Sequence, residues 1–343
     1  MSKKVKNMEE FSRIAGVSRP TASKYFESPD AVTPRSRQKI EAALEKIDYR
    51  PNFLASNLMR KETRILGVLV PSIGDPFYAE IVRAIEVAAL KYGYMAMIEC
   101  SYGSGEMEEK AIENFMSVNV AGICIAPVGL LSSSKVLSKT EKSIPVVYID
   151  STFDESDAFV KTNNAQSIGL ITQYMLRASE QPPMLFPMPN VNSNAQERSA
   201  AYVATMDKFG FEPILLDVNT DQKTWDFEKW GQQEMLRLLD RGGIPGRSIL
   251  CANDRIAFGV ISALYGSGLE VGRKTKAGFS VAGHDNQPLS NFTCPPLTTV
   301  AQDFELIGST AIEILLQKIG RISRENLSNK IMLDTQLILR ESA

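Results

Sequence analysis

The sequence predicts a small all-α helix-turn-helix module followed by a large α/β region built as two lobes. Three observations lead there. Short amphipathic stretches separated by a Gly turn and by cap-then-proline signals fill residues 1–50. From residue 64 onward, apolar strand-like runs alternate with amphipathic helical ones. Charge is also split: residues 1–64 carry fourteen Lys and Arg against eight Asp and Glu, the remainder 24 against 32. A basic small module on an acidic large one points only the first toward a polyanion. An unevenly charged solvated surface would give the same count, so charge alone decides nothing.

With 343 residues the chain has length for two or three domains with real cores. Cys100, Cys124, Cys251 and Cys294 are far apart, without C-x-x-C spacing, and mostly in apolar surroundings, as buried thiols are. The start MSKKVKNMEE leads into no apolar export segment, and no apolar run approaches the ~18 residues of a membrane helix. The expectation is a cytoplasmic protein with no membrane association. No metal-ligand cluster stands out, and no cofactor is expected.

In the first module, Met8, Phe11, Ile14 and Ala15 share a helical stripe, and Gly16 allows a sharp turn. Ser18 is a suitable N-cap for a second helix with Pro20 in its first turn. Thr33-Pro34 repeats that signal and opens a third helix through Ile47, with Ile40, Ala43, Leu44 and Ile47 inward. Two short helices about a Gly turn, braced by a third, is the plan in which the second helix enters the major groove. Arg19, Pro20 and Lys24 would then face bases, and Ser18, Thr21 and Ser23 would donate to phosphates. A three-helix bundle without a DNA role has the same pattern. Residues 52–59, NFLASNLM, are helix-compatible but too short to stand alone in water.

The large region reads RILGVLVP as a buried strand, FYAEIVRAIEVAALKYG as a helix, then YMAMIEC, EMEEKAIENFMSVN, AGICIAP and IPVVYID in alternation. After the helical NNAQSIGLITQYMLRAS it resumes with PMLFPMP, AQERSAAYVATMDKFG, EPILLD, FEKWGQQEMLRLLDR, RSILCAN, RIAFGVISALYGSG and FSVAGHD. Strands alternating with helices argue for parallel sheets covered on both faces, and two sets argue for two lobes. Ligands in such sheets bind beyond the carboxyl ends of strands, which makes the cleft between lobes the default site. Residues 71–78, Asp150, Asn253 and Asp285 fall at such ends.

The stretch FSRIAGVSRPTASKYF with VTPRSRQKIEAALEKIDYRPN resembles the headpiece of the lactose-repressor (LacI) family of bacterial transcription regulators. The turn stands as Ala15-Gly16-Val17-Ser18, and Thr21-Ala22-Ser23-Lys24 follows, with Lys24 where arginine is usual. VPSIGDPFYAEIVRAIE, CANDRIAFGVISAL, SVAGHDN and PPLTTVAQDFELIGSTAIEILL resemble the same family's sensor, which has a periplasmic-binding-protein-like (type I) fold. The resemblance implies a headpiece over residues 1–50, a hinge over 51–63 and a sensor over 64–343. Its N-lobe would take about 64–162 and 292–322, and its C-lobe about 163–291 and 323–343.

It also implies partners and site residues. Operator DNA, pseudo-palindromic, would be bound by a homodimer, favoured over a tail-assembled tetramer because no leucine heptads follow ILRESA. Asn52 would lie in the hinge, and Leu58 matches the lever that such hinges push into the minor groove. Ser56 stands where arginine is frequent. Packing of Leu54 and Leu58 on a neighbouring domain is the plain alternative. In the sensor, the resemblance places Asp75, Phe77, Tyr78 and Asp150 on the N-lobe wall, Arg198, Asn253 and Asp285 on the far wall, His284 at a usually aromatic position, and Gln302 in the returning crossover.

Carboxylates, amides and a guanidinium can pair with neighbouring hydroxyls while aromatic faces cover C–H surfaces. A sugar or sugar acid is the expected effector, with Trp225 or Trp230 as a stacking face or as core. An enzyme on the same lobes would need a catalytic motif, and neither G-x-S-x-G, G-x-x-x-x-G-K-[ST] nor G-x-G-x-x-G after the first strand is present. A pure solute-binding protein would lack the basic headpiece.

Overall fold

The computed structural model describes residues 3–5, 7–49, 63–152, 158–179, 181–273, 278–324 and 327–343. The chain divides into two compact units, Met1–Thr63 and Arg64–Ala343. The expected hinge contacts Asn52 and Leu58 lie outside the described residues.

In the first unit, α1 (Met8–Ala15) starts where the Asn7 side chain accepts from the Glu10 amide at 2.9 Å, and it ends at Gly16, whose φ of 64° suits glycine. Helix α2 (Arg19–Glu27) is capped by Ser18, and α3 (Pro34–Leu44) by Thr33. Phe11 stacks on Tyr49 with ring centroids 4.6 Å apart, and Ala15, Ala22, Ile40 and Ile47 close the core around them. Two expectations change. Ile14 is 41% exposed, because α1 turns Phe11, Ser12 and Ala15 inward and leaves position 14 at the edge of that face. The third helix stops at Leu44, and Ile47 sits in a short strand β2 (Ile47–Asp48) paired parallel to β1 (Lys3–Lys4).

In the second unit, a six-stranded sheet takes in β3 (Ile65–Val70), β4 (Met95–Cys100), β5 (Ile123–Ile125), β6 (Val146–Ile149), β7 (Phe159–Thr162) and β12 (Lys330–Leu333). Its order is β12-β7-β6-β5-β3-β4, with every pair parallel. Every residue of β3 is buried. Leu66, Val68 and Val70 face α4 (Pro76–Lys91) and α11 (Phe304–Lys318), while Ile65 and Leu69 face α5 (Gly105–Val118) and α6 (Ser134–Ser143). Cover on both faces is why the run ILGVLV carries no polar alternation.

The second lobe holds a parallel sheet of β8 (Met184–Phe186), β9 (Ser248–Cys251) and β10 (Ser280–Ala282) in the order β10-β9-β8. Around it pack α7 (Asn164–Ala178), α8 (Ser193–Lys208), α9 (Phe227–Asp240) and α10 (Asp254–Gly266). A two-stranded antiparallel pair joins β11 (Thr299–Ala301) to β13 (Gln336–Ile338). The run EPILLD meets the sheet only through one bridge, Leu215 to Leu185.

These pairings correct the lobe limits. Residues 330–333 hydrogen-bond along β7 and so belong to the first lobe, not the second. Residues 298–301 bridge to Ala282 and Asp285 and so belong to the second lobe, not the first. The chain therefore passes between lobes at 162–164, 301–304 and 333–336. Bonds from Asn163 to Asp334 and between Gln166 and Thr335 tie two of these crossovers together.

Candidate ligand cleft and DNA-facing helix

Strand ends from both lobes converge on one cavity, about 30 Å³ of open space, lined by Asp75, Phe77, Tyr78, Asp150, Arg198, Trp225, Asn253 and Asp285 among the residues expected there. Asp75 caps α4, accepting from the Phe77 amide at 3.0 Å, and so aims Phe77 and Tyr78 from the first turn. Asn253 caps α10 through Ile256 at 2.8 Å. Asp150 and Asp285 follow β6 and β10 with φ of 65° and 124°. Non-glycine residues adopt such backbone rarely and at a cost, and such strain gathers at functional sites. Trp230 is core, 1% exposed, with Phe186 edge-on to it.

The polar side chains satisfy one another across the cleft. Asp150 accepts from the Tyr78 hydroxyl at 2.8 Å and, from the other lobe, the Asn194 amide at 2.9 Å. Arg255 donates to Asp75 at 2.8 Å between lobes and grips Glu228 through two nitrogens. Arg198 donates to Asn164 at 3.1 Å and to the Ala252 carbonyl at 2.8 Å, and stands 3.3 Å from Asp285. Trp225 closes over the first lobe so tightly that a Cβ on Gly103 would come within 2.3 Å of its ring. Any side chain at 103 would collide with the indole.

His284 and Gln302 do not line the cavity; they hold Asp285 from behind. Gln302 donates to Asp285 Oδ1 at 2.6 Å and receives the Thr162 hydroxyl. His284 is fully buried, with Nδ1 2.8 Å from the same oxygen and Nε2 2.8 Å from the Ser167 hydroxyl. Burial and the nearby Arg198 push its pKa well below the usual value, so the ring is neutral. A carboxylate only accepts, so Nδ1–H donates to Asp285 and Ser167 donates to Nε2. Burial raises Asp150 and Asp285 to about 6, against the lowering pull of Arg198 on each. Burial likewise raises Asp75.

Met188, Asn192, Asn194, Phe227, Arg255 and Gln287 also line the cavity and were not anticipated. Arg255 had a signal, since it follows Asn253-Asp254 in the first turn of a helix that starts at a strand end. Asn192 had a weaker one as an N-cap type before AQER.

On α2, Ser18, Arg19, Pro20 and Lys24 are exposed, and Thr21 and Ser23 half-buried. Ser18 accepts from the Thr21 amide at 3.3 Å, and the two hydroxyls lie 2.8 Å apart, so part of their bonding is spent on the cap. Lys39 braces the turn by donating to the Gly16 carbonyl at 3.3 Å. Among the described residues, no helix is long and apolar enough to cross a membrane.

Comparison with known proteins agrees with both halves. Residues 7–52 match the family of bacterial regulatory proteins, lacI family, and residues 63–337 match the periplasmic binding proteins and sugar binding domain of the LacI family. The ribose operon repressor of Escherichia coli (strain K12) is 28% identical over 314 residues, 91% of this chain and 92% of the relative. The HTH-type transcriptional repressor CytR of the same strain is 28% identical over 98% of this chain and 95% of its own. A crystal structure of the lac repressor dimer bound to operator and the anti-inducer ONPF aligns at TM-score 0.82 with 26% identity, covering 99% of each chain. The helix-turn-helix unit, the two lobes and the polar cleft between them are those of a DNA-binding transcriptional regulator, and the chain belongs to the LacI family.

Proposed function

We propose that this protein represses transcription as a homodimer on a pseudo-palindromic operator, and that a small polyhydroxylated molecule of the sugar class, bound between the lobes, sets its operator affinity. The observation that carries this reading is the pairing, on one chain, of an exposed basic α2 with a buried cleft of carboxylates, arginines and aromatic rings. The lac repressor structure, a dimer bound to operator, supports a dimer by kinship.

Arg19 and Lys24 face bases, Ser23 holds a phosphate, and Leu58 wedges the minor groove at the operator centre. The cleft is read as a binding site, with His284 neutral, buried and outside the cavity lining. Selection of genomic fragments on the purified protein, followed by fluorescence anisotropy, tests the reading. A recovered inverted repeat should bind tightly, and Leu58→Ala should weaken it several-fold. Equal binding to random duplex would defeat the proposal.

A further inference from the structure

The cleft wall is rich in acceptors and short of free cations. Asp75, Asp150 and Asp285 line it against Arg198 and Arg255. Both arginines are already engaged: Arg255 by Glu228, Asp75 and the Trp225 carbonyl, Arg198 by Asn164, the Ala252 carbonyl and Asp285. The starts of α8 and α10 face the same space, but Asn192 and Asn253 occupy donors there. A ligand carboxylate approaching either guanidinium would meet a protein carboxylate already beside it, which disfavours the sugar acid that Arg198 alone suggested.

Asp150 is the opposite case. It is 5% exposed and has no cation within ion-pair distance among the described residues; it accepts only neutral bonds, from Tyr78 and Asn194. Arg198 acts on it only from beyond ion-pair distance and is itself bonded elsewhere, so the buried charge is incompletely compensated, and a hydroxyl supplies a hydrogen bond but no charge. Gln287, 2% exposed and lining the cavity from the second lobe, has an Oε1 with no partner, so it too lacks a donor. Four aromatic rings, Phe77, Tyr78, Trp225 and Phe227, complete the lining. The Arg255 guanidinium lies 5.2 Å from the Phe227 centroid, so this aromatic surface already accommodates one cation.

We propose that the effector is a compact polyhydroxylated amine, an amino sugar or close relative, whose ammonium pairs with Asp150 while Gln287 Oε1 takes a further N–H or O–H and the aromatic faces cover the cation. The proposal rests on the reading of the cleft as the effector site. The test is a thermal-shift titration of the full-length protein at pH 7. Matched probes come from the gluco, galacto and manno series: the neutral hexose, its 2-amino-2-deoxy form, its uronic acid, and the N-acetyl amine as the charge-free control. In one series the amine should bind at least about tenfold tighter than its three partners, and Asp150→Asn should erase that preference.

A hexose or uronate that stabilises as well as the amine overturns the amine assignment and leaves the effector site standing. No shift from any probe overturns both. If Asp150→Asn does not fold, the amine against N-acetyl comparison on the unaltered protein decides the question.

Discussion

The helix-turn-helix unit and the cleft treat polar side chains in opposite ways. In the first, Arg19 and Lys24 stand exposed on a helix whose own stability comes from Ser18 and from the stacked Phe11 and Tyr49 beneath. In the second, the polar groups are the buried layer, and each is held by another from a distant part of the chain. Tyr78 meets Asp150, Asp75 meets Arg255, and Arg198 meets Asp285. Recognition by a surface leaves fold and specificity separable, whereas recognition in a buried network makes each specificity residue also a stability residue.

The largest expected effect breaks that network. Arg198→Ala leaves Asp285 buried and its charge uncompensated, a change that costs about 3–5 kcal/mol where a buried pair loses one partner. Chemical denaturation should show a loss toward the lower end, because Gln302 and His284 still donate to the same oxygen. Adding Asp285→Asn should recover part of it. A loss confined to ligand binding, with stability unchanged, would show that the cleft behaves like the exposed helix after all.

The same buried carboxylates give a pH dependence. Asp150 and Asp285 ionise near 6 in the folded protein, above the 3.8 of an unperturbed aspartate. The folded state then holds protons that the unfolded state has released, so the contribution of these groups is greatest below about pH 4 and falls as pH rises toward about 6. Above that window it is flat. His284, held neutral by burial, contributes in the opposite sense as pH rises toward its usual value, so the carboxylate is read as a difference: denaturation midpoints of the unaltered protein should fall relative to those of Asp150→Asn between pH 4 and 7. A rise relative to the variant over that range would reverse the assignment of desolvation as the leading cause for Asp150.

This difference also explains what could be read before the structure. Asp75, Asp150, Asn253 and Asp285 were legible because a βα repeat places strand ends, and strand ends place ligands. The pairings of Arg255 and Asn194 were not, because their partners lie 180 and 44 positions away, and no local pattern encodes them. His284 and Gln302, expected in the cleft, stand behind its wall instead, a matter of a single layer that residue type cannot resolve. The placement of residues 330–333 in the first lobe depends on which edge of a sheet is open, again a property of the whole fold.

On the exposed side the effects should be smaller and selective. Arg19→Ala should cost about 1–3 kcal/mol of discrimination at one position of each half-site, read as relaxed base preference in anisotropy with single-substituted operators. A uniform loss on all sequences, accompanied by a shallower salt dependence, would instead make Arg19 a phosphate contact. Neither outcome should change ligand binding in the cleft.

The smallest effect sharpens the contrast, because it concerns an ion pair of good geometry in the wrong place to matter. Arg37 donates to Asp30 at 2.7 Å and to Glu41 at 2.8 Å, distances as short as those in the cleft, yet all three side chains are well exposed. Water and salt compete for each charge, and ordering three mobile side chains costs entropy. Arg37→Ala should therefore leave the unfolding midpoint of the headpiece unchanged in physiological salt, measured by far-ultraviolet circular dichroism. A drop comparable to that of Arg198→Ala would mean that geometry, not burial, sets the weight of charge in this protein, and the comparison between its two regions would fail.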